Sequence, residues 1–156
     1  MWTRRTWVSL IFLSAFMLLA DSASAQSGFG LRVGASGSPD QFYLGAHVDV
    51  KEIVERFWFR PNAEVGLGNG FTLFSLNGEF VYDIPTKSST RWVPYIGGGP
   101  AFLIATARDP FGGRYTSTGG GFNFLGGIRQ RKGLMGEIKI GVIDSPEVKL
   151  GVGWTW

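Results

Sequence analysis

The sequence has no cysteine and a single histidine, His47. Without thiols there is no disulfide framework and no thiolate nucleophile. One histidine, with acidic residues spread along the chain, gives no metal-ligand set, so neither metal nor cofactor is expected. An excess of charge of one sign is also missing. The formal net charge is +3 over 156 residues, and the basic residues are scattered, so no nucleic-acid partner is expected. Beyond Ala20 no apolar run approaches the roughly 20 residues that a spanning helix needs. What is abundant is glycine, with 24 residues, and aromatic side chains, at 15%. With few helix-period runs, this composition reads as all-β.

The N-terminus stands apart. Arg4 and Arg5 precede an apolar stretch, Val8 to Ala20, and Ala23-Ser24-Ala25 forms an A-x-A cleavage site. This is the pattern of a secretory signal peptide, too short for a membrane anchor and without a stop-transfer flank. The expected organisation is a signal peptide over 1–25, cleaved after Ala25, and one domain over 26–156. An exported chain with no spanning helix can cross a membrane only as a closed barrel.

Eight alternating segments follow. They are read at Phe29–Ala35, Gln41–Val50, Phe57–Leu67, Phe71–Ile84, Arg91–Ala105, Gly120–Arg129, Leu134–Val142 and Val148–Trp156. Each has the period of two that puts successive side chains on opposite faces of a strand. Asn69-Gly70 predicts a tight hairpin. Lys51–Glu55 reads as a connection with one helical turn, because Val50, Ile53, Val54 and Phe57 are helix-spaced. Pro94 and Pro100 predict a bulge or bend in the fifth segment. Thr106–Gly119 reads as the longest loop.

The faces of these segments differ in charge. One face carries no Asp, Glu, Lys, Arg or His in any segment. The other carries Arg32, Asp49, Arg60, Glu64, Glu79, Asp83, Arg129, Glu137, Lys139 and Lys149, together with ten glycines. The uncharged face holds thirteen aromatics, more than the interior of an eight-stranded barrel can accept. The expected arrangement is therefore inverted: apolar side chains outward to lipid, charged side chains across a narrow, glycine-lined lumen. Trp92, Tyr82, Phe57, Trp154 and Trp156 then gather at one rim as an interfacial girdle. A soluble periplasmic barrel or sandwich binding an apolar ligand is the alternative, since two inner faces also hold many aromatics.

The signal peptide, the eight segments, Trp92-Val93-Pro94-Tyr95-Ile96-Gly97-Gly98-Gly99 and the aromatic C-terminus resemble small outer-membrane β-barrel proteins of the OmpA/OmpX type. The resemblance implies an eight-stranded antiparallel up-and-down transmembrane β-barrel in the bacterial outer membrane, monomeric, with both termini in the periplasm. It also implies that Val152, Trp154 and Trp156 form the C-terminal signal read by the barrel assembly machinery during insertion. Short connections at Gly68–Gly70 and Ile143–Pro146 depart from members that adhere through long loops. No periplasmic domain is expected after Trp156.

The candidate sites are few. Arg32, Arg60, Glu64, Glu79, Arg129, Glu137, Lys139 and Lys149 are expected to form a lumen charge network, since buried charges must be paired. That network is a structural plug, or alternatively a narrow path for ions or small solutes. His47 shares a face with Asp49, but no serine beside it completes a catalytic set, so no catalysis is expected. Gly66-x-Gly68-x-Gly70 lacks the lysine and following helix of a phosphate loop. In the long loop, Arg108, Phe111, Arg114 and Tyr115 are the candidate contacts to outer-membrane lipid, to lipopolysaccharide phosphates or to a partner. The expected role is structural or envelope-interacting.

Overall fold

The computed structural model describes residues 28–87, 90–108, 111–130 and 133–156. The signal peptide expected over 1–25 lies outside the described residues. Eight strands run in chain order: β1 (Gly28–Gly37), β2 (Gln41–Val54), β3 (Phe57–Gly68), β4 (Phe71–Asp83), β5 (Val93–Arg108), β6 (Arg114–Arg129), β7 (Gly133–Val142) and β8 (Val148–Thr155). Each pairs antiparallel with its neighbour in sequence, and β8 closes on β1, giving an up-and-down barrel with no free edge. With an even number of strands, β1 begins and β8 finishes at the same end. No helix among the described residues is long and apolar enough to cross a membrane.

Side-chain alternation along every strand follows the register. On β1, Gly30, Arg32 and Ser36 are buried while Phe29, Leu31, Val33 and Ala35 face out. On β4, Leu73, Ser75, Asn77, Glu79 and Val81 are buried between half-buried or exposed neighbours. Large apolar residues sit outside in quantity, with Phe42 at 78% and Phe124 at 56% relative exposure, while Arg60 and Glu79 are at 0%. The fold thus places its charges within and its apolar side chains on the outer wall, as the charge segregation predicts.

Two expectations about connections are corrected, and so is the bulge expected in the fifth segment. Lys51–Val54 is not a helical turn but the end of β2, carrying a register shift between Val50 and Val54. Extra residues in one strand mimic helical spacing when the bulge resets the alternation. Pro94 and Pro100 do not shift the register of β5, which stays constant against β4 and β6 along its length. The β4–β5 ladder is only interrupted beside Pro100, between the pairs Asn77↔Ala101 and Phe80↔Gly98, as expected of a residue with no N–H to donate. Thr106–Gly119 is not a long loop. Thr106–Arg108 and Arg114–Gly119 continue β5 and β6 in unbroken register, up to the pair Arg108↔Arg114. Asp109 and Pro110 of that segment lie outside the described residues.

Candidate functional site

The lumen is the site built by the alternation. Every strand directs polar or charged side chains into it, and the charged ones form one connected chain. At the end that carries the termini, Asp83 accepts from the Trp58 indole at 3.0 Å and pairs with Arg129 at 2.8 Å. Arg129 reaches Asp49 at 2.7 Å, and Asp49 pairs with Arg60 at 2.6 Å. Arg60 lies 3.4 Å from Glu137, which also takes Arg32 at 2.9 Å and the Tyr95 hydroxyl at 2.7 Å. Lys139 is 3.6 Å from Glu137 and passes the chain to Glu64 at 2.7 Å and Glu79 at 2.5 Å. Lys149 completes it on Glu64 at 2.8 Å.

The signs alternate along this path. Five cations (Arg32, Arg60, Arg129, Lys139, Lys149) face five carboxylates (Asp49, Glu64, Glu79, Asp83, Glu137), so the described lumen carries no net formal charge. That balance has a physical reason. In a space with little water, an unpaired charge costs several kcal/mol, while each added partner offsets part of the desolvation. The structure brings together all eight residues expected in the network. It adds Asp49 and Asp83, which share the charged face in the sequence.

Neutral side chains fill the remaining space. Asn77 donates to Asn62 at 2.8 Å, and Asn123 donates to Asn77 at 3.2 Å, so three amides bridge β3, β4 and β6. Val81, Tyr95, Leu125 and Met135 pack inside with Trp58 against them, and Leu73, Ala101 and Leu103 form a second apolar cluster nearer the other end. The Arg60 guanidinium stands 5.1 Å above the Tyr95 ring, and the Lys149 ammonium 5.4 Å from that of Tyr43. Such cation–π contacts add to the ion pairs. The lumen is therefore not lined by charge alone. Its tyrosines and tryptophan share the charged face in the sequence, but which cation each meets depends on cross-strand register.

The lumen glycines have a specific use. The Tyr43 ring lies across Gly151 and Gly34 on facing strands, and a Cβ on either would collide with it. Glycine leaves room for aromatic side chains to lie flat against the wall.

His47 is buried in the lumen, with Nε2 3.0 Å from the Thr155 hydroxyl. It meets no serine, and no carboxylate hydrogen-bonds to it among the described residues. No group of His, Asp and Glu among the described residues is arranged to hold a metal ion. A cavity of about 740 Å³ lies at the wall around the β1–β8 seam, lined by outward residues such as Val33, Phe42, Leu44 and Leu150 and by the lumen-side residues Gly34, Tyr43, Gly151 and Glu137.

The C-terminal residues lie on the barrel seam. Val152 and Trp154 pair with Val33 and Leu31 and face outward, and Trp156 is 56% exposed. The four residues expected in a single loop are separated. Arg108 and Arg114 lie opposite each other on β5 and β6, Tyr115 is one residue further on the other face of β6, and Phe111 is exposed in the connection.

No protein-family model and no curated protein sequence matches the chain. Solved structures do match its fold. Surface protein A of Neisseria, NspA, aligns with a TM-score of 0.62 at 15% identity, covering 83% of this chain and 96% of the other. The N-terminal β-barrel domain of Pseudomonas aeruginosa OprF aligns at 0.59 and 13%, covering 83% and 96%. The outer membrane enzyme PagL aligns at 0.51 and 11%, covering 82% and 97%. The fold is that of small eight-stranded outer-membrane β-barrels, and that fold is shared by proteins with and without catalytic activity in their names.

Proposed function

We propose that this chain is exported, inserts in the bacterial outer membrane as a monomeric barrel with both termini in the periplasm, and serves there as a plugged structural or envelope-interacting wall. The carrying observation is the pairing of two surfaces. The lumen holds a charge-balanced chain of ion pairs from Asp83 to Lys149. The strand residues that face outward between the rims are uncharged and largely apolar. A soluble protein gains nothing by exposing Phe42, Leu44, Phe124 and Ile140 to water while burying Arg60 and Glu79. In a bilayer the same arrangement is the favourable one, because an Arg or Lys on the lipid face costs about 2–4 kcal/mol at the midplane.

A non-catalytic role is supported by where the one histidine lies. Walled into the lumen against Thr155, His47 is removed from the outer face where a lipid substrate would lie. A plug, rather than a path, is supported by the filled lumen, since eight strands enclose only enough space for their own side chains. Fractionation with gel mobility tests the main reading. The protein is expected in the outer-membrane fraction, and its mobility should shift on boiling as the closed barrel opens. Recovery in the soluble periplasmic fraction would overturn it.

A further inference from the structure

The end opposite the termini carries an arrangement that folding alone does not account for. Arg108 and Arg114 are directly opposite each other at the top of the β5–β6 hairpin. The Arg108 amide donates to the Gly70 carbonyl at 2.9 Å, so it points away from β6. The two arginines therefore form a non-hydrogen-bonded pair, the type in which side chains stand closest. By alternation both project on the outward face, above Ile104, Phe102 and Phe122. Like charges directly opposite on antiparallel strands are destabilising, and among the described residues neither arginine makes an ion pair. Immediately below them, Thr106 and Thr116 bring their hydroxyls within 3.2 Å. Thr72 on β4 pairs with Thr106 at the same level, and Thr118 lies one step lower on β6, opposite Ile104. Two guanidinium groups above four hydroxyls thus cap the apolar wall on its lipid side.

We propose that Arg108 and Arg114 clamp a phosphomonoester on the sugar of a phosphorylated glycolipid headgroup in the outer leaflet. The proposal rests on the outer-membrane reading above and gives that wall a ligand. The charges match: a phosphomonoester carries about −1.5 to −2 at neutral pH, against two guanidinium groups, whereas the phosphodiester of a glycerophospholipid carries one negative charge. Guanidinium groups bind such oxygens in fork geometry. The four threonine hydroxyls beneath offer the neutral donors and acceptors that sugar hydroxyls require. The position fits as well, because a headgroup phosphate lies just above the hydrocarbon that the apolar wall meets.

The test reconstitutes the full barrel in phosphatidylcholine nanodiscs doped with lipid A, with enzymatically dephosphorylated lipid A, or with phosphatidylglycerol. Lipid retained after mild detergent extraction is counted by mass spectrometry. Wild type is expected to retain lipid A, and the Arg108→Ala/Arg114→Ala variant to retain it about tenfold less or weaker still, as charged hydrogen bonds of this kind imply. Arg108→Lys/Arg114→Lys should fall between, since lysine keeps the charge and loses the fork. Asp109→Asn, in the same connection, should not weaken retention. Dephosphorylated lipid A and phosphatidylglycerol should stay at the level of the alanine variant. Equal retention of lipid A by wild type and alanine variant overturns the clamp, and equal retention of phosphatidylglycerol and lipid A overturns the glycolipid assignment. Heat-modifiability of the same samples separates the two levels of failure. An inserted barrel without the difference removes the clamp alone, and a barrel that never inserts removes the outer-membrane reading.

Discussion

Phe29 and Trp156 stack at the seam of the barrel, with ring centroids 6.0 Å apart and planes 19° apart, while the Trp156 amide donates to the Phe29 carbonyl at 2.8 Å. The two ends of the described chain are thereby joined on the outer wall, one residue past the last β1–β8 pair, Gly30↔Thr155. Aromatic pairs of this kind contribute about 0.5–1.5 kcal/mol beyond their area. Trp156→Ala should lower the unfolding free energy in micelles by about 1 kcal/mol, as the stack predicts, and Phe29→Ala by a similar amount. If Trp156 also serves as an insertion signal, Trp156→Ala should slow assembly in vivo more than Phe29→Ala does. Equal assembly of the two variants, followed by the heat-modifiable band over time, would confine Trp156 to the seam.

Glu137 is the hub of the lumen chain, meeting Arg32, Arg60, Lys139 and the Tyr95 hydroxyl. Glu137→Gln keeps the shape and removes the charge. It leaves two buried guanidinium groups with weaker compensation and should cost about 3–5 kcal/mol, the range for breaking a buried pair. Tyr95→Phe removes one hydrogen bond to a charged group and should cost about 1.5–3 kcal/mol. Urea titration of the barrel in micelles checks both. A Glu137→Gln midpoint equal to wild type would show that the hub is solvated.

Ile138 sits near the middle of β7 and faces outward. In a bilayer, Ile138→Arg should cost about 2–4 kcal/mol. On the surface of a soluble barrel the same change should stay within about 0.5 kcal/mol. Unfolding from lipid vesicles therefore separates the two readings at a single position.

How much of this was legible follows from which interactions are local. Most of each strand declares itself through alternation, because its outward positions between the rims are apolar. Thr106–Arg108 and Arg114–Gly119 carry no such pattern, since their outward residues are threonine and arginine above the apolar belt. They therefore read as loop although they pair in register. Val50, Ile53 and Val54 read as helix because a bulge breaks the period of two. The charged face was visible residue by residue. That Lys139 meets Glu64 from β3 and Glu79 from β4 was not, since this depends on how the closed barrel brings non-neighbouring strands across the lumen.

The ion-pair chain makes a statement about conduction. Lys139 lies between Glu64, Glu79 and Glu137, where a passing ion would have to replace paired groups. Wild type in planar bilayers is expected to show no stable unitary openings. Lys139→Ala with Glu64→Ala removes two side chains of opposite charge, keeps the balance, and is the variant expected to conduct. Openings in wild type of the same size as in the double variant would make the lumen a pore.

The aromatic cover over the lumen glycines yields the most local prediction. At Gly151, a Cβ would meet the Tyr43 hydroxyl first, while the remaining Tyr43 ring atom is at 3.2 Å and the Val33 carbonyl at 3.5 Å. The conflict is therefore with one oxygen on one rigid ring, not with the wall. Gly151→Ala should push the Tyr43 ring inward, toward Lys149, whose ammonium stands 5.4 Å from it. Overpacking of this sort costs about 1–3 kcal/mol. Tyr43→Phe alone removes the hydroxyl and should cost little. Together the two changes should be milder than Gly151→Ala by itself, because the atom that collides is gone. This non-additivity is the diagnostic, since neighbours in contact couple while independent sites add. A double-mutant cycle by urea unfolding measures it. Strict additivity would mean that Gly151 serves backbone pairing with Gly34 and Glu137 instead of accommodating Tyr43.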